Sequence, residues 1–312
     1  MALKEEKKKL IFMKFKIKNK KKLAIFFFIV LIAVATPSFF FWQFIRGPEL
    51  TFSGEKIEQG DTLVARLDGI WRAPMEARFS SKPVSFFRHW LSYFAIIGID
   101  AKAKTGKAPF YVKLASGEKL TGELMVLSRS VKETKLAIPQ KMIKQGVGVA
   151  ALIKNITSKD KSTLDSTFKV FTPKIGFSKS FTEPLIEWID VGNFGNLRQS
   201  AEGSIIHLGV DLDANLGNPV FSVNDGVVQF VDELPNYGKT FIINHGLGIF
   251  SGYLHLSEIK AVINSKVKRG EIIGLVGSTG YSLAPHLHFT IKINSASVDP
   301  RKFLDTVNKF VK

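Results

Sequence analysis

The longest unbroken apolar run lies near the start of the chain: residues 23–45 carry no charged side chain. As a helix they reach roughly 34 Å at 1.5 Å per residue, enough to cross the hydrocarbon core of a bilayer. Lysines crowd one flank and Trp42 stands near the other, where an interfacial aromatic belongs. The pattern predicts one transmembrane helix, with the basic residues 1–22 in the cytoplasm and everything after Arg46 outside it. Ala33-Val34-Ala35 has the small-x-small pattern of a cleavage site, so a removed signal peptide is the alternative. The apolar run continues well past Ala35, which favours an anchor; Pro37 is a place for a kink.

Beyond Gly47-Pro48 the pattern changes to short runs. Asp61–Leu67 alternates apolar and polar, as a half-buried strand does, and Phe110–Leu114, Thr121–Leu127 and Val147–Ile153 also read as strands. Turn signals at Thr105-Gly106, Ser116-Gly117 and Gln145-Gly146 separate them. Residues 47–130 are therefore expected to form a small β-sandwich. They spell no chemistry, and His89 sits among Phe86, Phe87 and Trp90 without an acidic or histidine neighbour at ligand spacing. Residues 131–180, rich in Lys, Ser and Thr, read as a connector with a short helix and a loop within Pro139–Ser166 and a strand beginning at Phe168–Phe171.

From Pro184 onward turns become dense. Asn224-Asp225-Gly226, Asn236-Tyr237-Gly238, Asn244-His245-Gly246, Arg269-Gly270 and Ser278-Thr279-Gly280 punctuate apolar runs at 220–223, 227–231, 240–243, 249–254, 272–276 and 287–293. Such turns favour antiparallel hairpins, and no long 3.6-period segment interrupts them. Residues 181–312 thus read as an all-β domain of antiparallel sheets with a groove on one face.

Charge alters the picture only at the N-terminus. The chain of 312 residues has a formal charge of +17, of which residues 1–22 supply +8 through ten lysines against Glu5 and Glu6. The excess is densest in the tail expected to be cytoplasmic, and the other +9 is spread over 290 residues, which argues against a nucleic-acid partner for the folded part. There is no cysteine, so disulfides are excluded and any zinc site is built from histidine and carboxylate.

Candidate chemistry gathers at His207-Leu-Gly-Val-Asp211 and His286-Leu-His288, with His255 between them. Two imidazoles and a carboxylate suit Zn²⁺ and leave a fourth position open for water. Gly209 and the β-pattern after it favour an extended or turning segment between His207 and Asp211. His286 and His288 are two apart, so in a strand they share a face; one is expected to be a ligand and the other a catalytic group. His245, in Asn244-His245-Gly246, reads as part of a hairpin turn.

Residues 184–300 resemble the M23 metallopeptidases, the LytM/lysostaphin-type cell-wall endopeptidases. The resemblance rests on Phe194-Gly-Asn-Leu-Arg198, His207-Leu-Gly-Val-Asp211, Pro219-Val220, Asp225-Gly-Val-Val228, Tyr253-Leu-His-Leu-Ser257, and Gly274-Leu-Val-Gly-Ser-Thr-Gly280 running into Pro285-His-Leu-His-Phe289. It implies a small antiparallel β domain with zinc in a groove, the ligands His207, Asp211 and His288, and the catalytic histidines His255 and His286. It further implies hydrolysis of peptide bonds in peptidoglycan stem peptides or cross-links by water that zinc activates, in a periplasmic or other extracytoplasmic compartment. Two positions depart from many members: Ala284 stands for Gly and Thr290 for Glu. The alternative function is a catalytically silent activator or adaptor of other wall hydrolases, which the loss of a ligand would favour; none is lost.

Overall fold

The computed structural model describes residues 47–177 and 179–310. The basic tail and the apolar run at 23–45 lie outside the described residues. Among the described residues no helix is long and apolar enough to cross a membrane.

Nine strands fill the first part: β1 (Glu49–Phe52), β2 (Lys56–Glu58), β3 (Thr62–Asp68), β4 (Glu76–Phe79), β5 (Lys82–Pro83), β6 (Phe87–His89), β7 (Ser92–Gly98), β8 (Gly106–Lys113) and β9 (Lys119–Leu127). They form two sheets, in the orders β1-β3-β7-β6 and β2-β9-β8-β4-β5. The sheets share one apolar core in which Leu63, Leu67, Phe110 and Leu124 are fully buried. Alternation explains the arrangement, since β8 buries Ala108, Phe110 and Val112 and exposes Lys107 and Pro109. His89 packs edge-on to Phe94.

The segment expected to be a mere connector is largely helical. After β10 (Glu133–Lys135) come α1 (Gln140–Lys144), α2 (Val149–Asn155), a π-helical turn at Ile156–Asp160 and α3 (Lys161–Phe168). This corrects two expectations. Val147–Ile153 is not a strand, because Val149, Leu152, Ile153 and Ile156 fall on one helical stripe that packs against Ile205 and Tyr281. A seven-residue apolar run does not by itself distinguish the two readings. Phe168 likewise ends α3 and begins no strand; its ring meets Phe250 edge-on.

The remaining strands are β11 (Asp190–Gly192), β12 (Leu197–Ser200), β13 (Gly203–Ile206), β14 (Val210–Asp213), β15 (Pro219–Phe221), β16 (Gly226–Leu234), β17 (Gly238–Asn244), β18 (Ile249–Leu256), β19 (Glu258–Ile259), β20 (Lys266–Val267), β21 (Ile272–Leu275), β22 (His286–Ile293) and β23 (Ala296–Val298). The main sheet runs β11-β14-β22-β18-β17-β16-β20, with β23 paired to β22. Two small sheets flank it, β15-β21-β19 and β10-β12-β13.

One helix had no counterpart in the sequence reading: α4 (Pro300–Val307). The Asp299 carboxylate caps it by accepting from the Arg301 and Lys302 amides, Pro300 opens it, and Phe303, Leu304 and Val307 form its buried stripe. Residues from Glu49 onward form one compact unit. Val64, Phe94 and Ile96 of the first part share a core with Phe181, Val298, Phe303 and Leu304. Arg129 pairs with Asp299 at 2.9 Å, and Lys302 reaches Asp61 at 2.7 Å and Glu58 at 2.9 Å.

Candidate active site

The site is set by register. β14 and β22 are antiparallel neighbours with Asp211 directly opposite His288. Directly opposed residues project to the same face, so the carboxylate and the imidazole meet with Asp211 Oδ1 2.8 Å from His288 Nδ1. His207 stands in the link between β13 and β14, whose backbone is held where its amide donates to the Asn196 carbonyl and its carbonyl accepts from the Gly195 amide. His207 Nε2 lies 3.0 Å from Asp211 Oδ1 and 3.0 Å from His288 Nδ1. Three donor atoms thus form a nearly equilateral triangle.

His207 Nδ1–H donates to the Asn193 carbonyl at 3.0 Å, which leaves the lone pair on Nε2. That lone pair faces a carboxylate oxygen, an arrangement that calls for a cation or a proton between them. Burial would push the Asp211 carboxyl up, but His207, His286 and His288 outweigh it and hold the group well below the usual range, as an anion. Burial lowers His288 to about 4, against the opposing pull of Asp211, so its ring is neutral and free to ligate. The donor set His, Asp, His without a thiolate fits Zn²⁺.

His255 reaches this face by an irregular route. Leu254 pairs with His288 and lines the same groove, so strict alternation would turn His255 into the core. His255 instead has φ +64°, a left-handed backbone, where the register of β17 and β18 slips. Its ring lies 5.0 Å from the His286 ring and 6.0 Å from the His288 ring, centre to centre. Nδ1–H donates to the Thr279 carbonyl at 2.9 Å, leaving Nε2 as an acceptor. Burial, then His286 and His288, lowers its pKa well below the ordinary histidine value.

His286 is more open. Its Nδ1 lies 2.8 Å from the Ala284 carbonyl and 3.2 Å from Ser282 Oγ, and its Nε2 lies 3.5 Å from Asp211 Oδ1. Burial opposes its charged form, but Asp211 prevails and its pKa is raised. The five residues singled out in the sequence are all brought together, three as a donor cluster and two beside it. His245 is not among them. Although it follows β17 at a turn, it is wholly buried, with its ring nitrogens engaged by the Asp225 carbonyl at 2.7 Å and Ser251 Oγ at 2.8 Å.

Residues 205–300 match the model of Peptidase family M23. In these residues the chain is similar to an M23 domain. The chain is 36% identical over 137 residues to the DD-carboxypeptidase/endopeptidase Mpg of Neisseria meningitidis, covering 44% of this chain and 31% of that protein. It is 38% identical over 96 residues to the peptidoglycan DD-endopeptidase ShyA of Vibrio cholerae, covering 31% of this chain and 22% of that protein. The chain thus spans less than a third of the length of these curated relatives. A crystal structure of a candidate M23 peptidase from Pseudomonas aeruginosa superposes with a TM-score of 0.56 at 25% identity, covering 77% of this chain and 92% of that one.

His207, Asp211 and His288, all within the matched residues, are the three groups placed to hold zinc. Backbone crowds it closely. A Cβ on Gly192 would come 2.5 Å from Asp211 Oδ2, and one on Gly209 would come 2.5 Å from His288 Nε2, so both positions need glycine. Arg198, unassigned in the sequence reading though part of its motif, donates from Nη2 to Asp211 Oδ2 at 2.6 Å. It orients the carboxylate so that Oδ1 is the oxygen offered to metal.

The site opens into a cavity of about 320 Å³. The β-strands supply its floor, and Ile156, Thr157, Lys161, Leu164 and Phe168 of the helical segment supply a roof. The segment is tied down on both sides of the groove. On one side β10 pairs in parallel with β12, and Leu136, Met142 and Leu152 pack with Ile205 and Tyr281. On the other, Asp160 Oδ2 accepts from the Asn236 amide at 3.0 Å and from Asn236 Nδ2 at 2.8 Å, and Leu164 and Phe168 pack with Leu234, Ile242 and Phe250.

Proposed function

We propose that this chain is a zinc metalloendopeptidase that hydrolyses peptide bonds in the stem peptides or cross-links of peptidoglycan. The observation that carries the reading is the donor triangle of His207, Asp211 and His288 with two further histidines on the same face. The activities named for Mpg and ShyA support the substrate class.

Bound zinc supplies Lewis acidity and lowers the pKa of water toward ~7. The protein's own groups do the rest. His255, with Nδ1–H held by Thr279, offers Nε2 to take a proton from the attacking water. His286, whose protonated form Asp211 favours, donates Nδ1–H to the Ala284 carbonyl and as an imidazolium directs Nε2–H at the carbonyl oxygen as negative charge grows there. Arg198 keeps Asp211 oriented throughout.

The domain plan follows the sequence: a basic tail at 1–22, a transmembrane helix or signal anchor at 23–45, a β-sandwich-like domain at 47–130, a connector at 131–180 and the peptidase domain at 181–312. On that plan the enzyme is a single-pass protein of the cytoplasmic membrane whose catalytic domain works in the periplasm or other extracytoplasmic space, with peptidoglycan and the membrane as partners and no nucleic acid. The silent-adaptor alternative has no observation in its favour, since all three ligands and both catalytic histidines are in place.

The test is digestion of purified cross-linked peptidoglycan by the full chain with zinc, products identified by mass. His288→Ala is expected to lose both zinc and activity. His286→Ala and His255→Ala are expected to retain near-stoichiometric zinc while the rate falls by roughly 10²–10⁴. Zinc loss in His286→Ala with retention in His288→Ala would invert the roles, and activity in all three would end the hydrolase reading.

A further inference from the structure

Strand β22 presents alternate side chains to the groove: His286, His288, Thr290 and Lys292. The first two belong to the reacting end. Thr290 donates from its hydroxyl to the Leu208 carbonyl at 2.7 Å, beside His207. Lys292 has no part in the chemistry described so far. It lies four residues from His288, about 13 Å along the strand, yet it lines the same cavity.

The ammonium of Lys292 has neutral partners only. It donates to Ser297 Oγ and stands 5.4 Å from the centre of the Phe168 ring. Among the described residues it forms no ion pair, whereas other lysines near it in the fold do: Lys161 pairs with Asp165. Asp100, whose charge also reaches it, has both oxygens engaged by backbone amides, Oδ1 by Lys102 and Oδ2 by Ser297. Lys102 and Lys161 line the same cavity together with Asp165, so with Lys292 and Asp100 three positive charges there face two negative ones. Burial lowers Lys292 to about 8, which leaves it mostly charged at neutral pH. A desolvated cation with no carboxylate at ion-pair distance among the described residues, open to a cavity, is a site for an anion.

We infer that Lys292 anchors a carboxylate of the peptide substrate at the end of the cavity remote from the metal. The inference rests on the hydrolase reading for the identity of the ligand. Given the strand spacing, the carboxylate lies on the order of four residues from the bond that is cut, in an extended chain of ~3.3–3.6 Å per residue. Because β22 forms the floor, the spacing of metal site and ammonium does not depend on the roof.

The experiment uses a soluble cross-linked muropeptide dimer and the same dimer with its carboxylates converted to amides by carbodiimide and ammonia. Binding of each to the full chain is measured by calorimetry, and cleavage is followed in parallel. Wild type is expected to bind the native dimer about tenfold or more tighter than the amidated one. Lys292→Met, which keeps the aliphatic packing on Phe168, is expected to bring that ratio near one, and Lys292→Arg to keep most of it. A ratio near one in wild type, or a wild-type ratio in a folded Lys292→Met, overturns the inference. The wild-type ratio decides even if Lys292→Met does not fold. Failure to cleave either dimer, with the binding ratio intact, counts against the hydrolase reading and leaves the carboxylate site standing.

Discussion

At the scale of single residues the site depends on one irregular backbone angle. A non-glycine residue at φ +64° is disfavoured by about 1–2 kcal/mol because its Cβ crowds the following carbonyl. His255 adopts it because only that turn of the chain brings its ring out of the core and beside His286. The strain is tested by removing the Cβ. In an ordinary strand alanine is more stable than glycine by roughly 0.5–1 kcal/mol. Here His255→Gly is expected to be at least as stable as His255→Ala in chemical denaturation, with both retaining zinc. Alanine winning by the ordinary margin would show that the angle carries no strain. Nothing in Tyr-Leu-His-Leu-Ser announces a left-handed residue, so only the histidine's presence was legible, not its route to the groove.

At the scale of elements the helical segment 140–168 matters most. It bridges the groove, and the contact between Asp160 and Asn236 fastens it. That fastening is imperfect: among the described residues Asp160 Oδ1 and Asn236 Oδ1 are both buried without a hydrogen-bond partner. Buried unsatisfied oxygens cost on the order of 1–3 kcal/mol each, which favours release. A roof over a 320 Å³ cavity admits a short peptide more readily than a wall polymer. Asp160→Ala is therefore expected to raise the rate on insoluble peptidoglycan several-fold over wild type while changing the rate on a short soluble cross-linked peptide by less than twofold. An equal or lower rate on the polymer would show that the roof does not limit access. Comparing residues 181–312 with residues 47–312 on the same two substrates separates loss of the roof from loss of spacing.

At the scale of the whole molecule the first β region is fused to the catalytic sheet. The buried rings of Phe94, Phe181 and Phe303 and the ion pairs of Arg129 and Lys302 join β3, β7 and the segment after β9 to α4. The groove lies at the face of β14 and β22 that carries Asp211 and His288, and α4 follows β23 in the chain. The placement of this unit outside the cytoplasm is tested by a reporter joined after Lys312. Activity only in an extracytoplasmic reporter is expected, from the lysine flank and the apolar run at 23–45. Activity of a cytoplasmic reporter would refute the anchor.

Local chemistry in the sequence determined a good deal. The alternating runs and Asn/Asp-Gly turns marked most of the long strands of both β regions, because side-chain period and turn conformation are properties of neighbouring residues. The two histidine motifs marked the metal donors, because ligand chemistry belongs to residue type. Tertiary structure decided what depended on residues far apart. The apolar stretch 147–153 became helix because it had Ile205 and Tyr281 to pack against. Arg198 acquired its role from the approach of β12 to Asp211, and Lys292 its place at the cavity from the register of β22. The roof over the groove exists only through contacts such as Asp160 with Asn236, 76 positions apart in the chain, which no local pattern encodes.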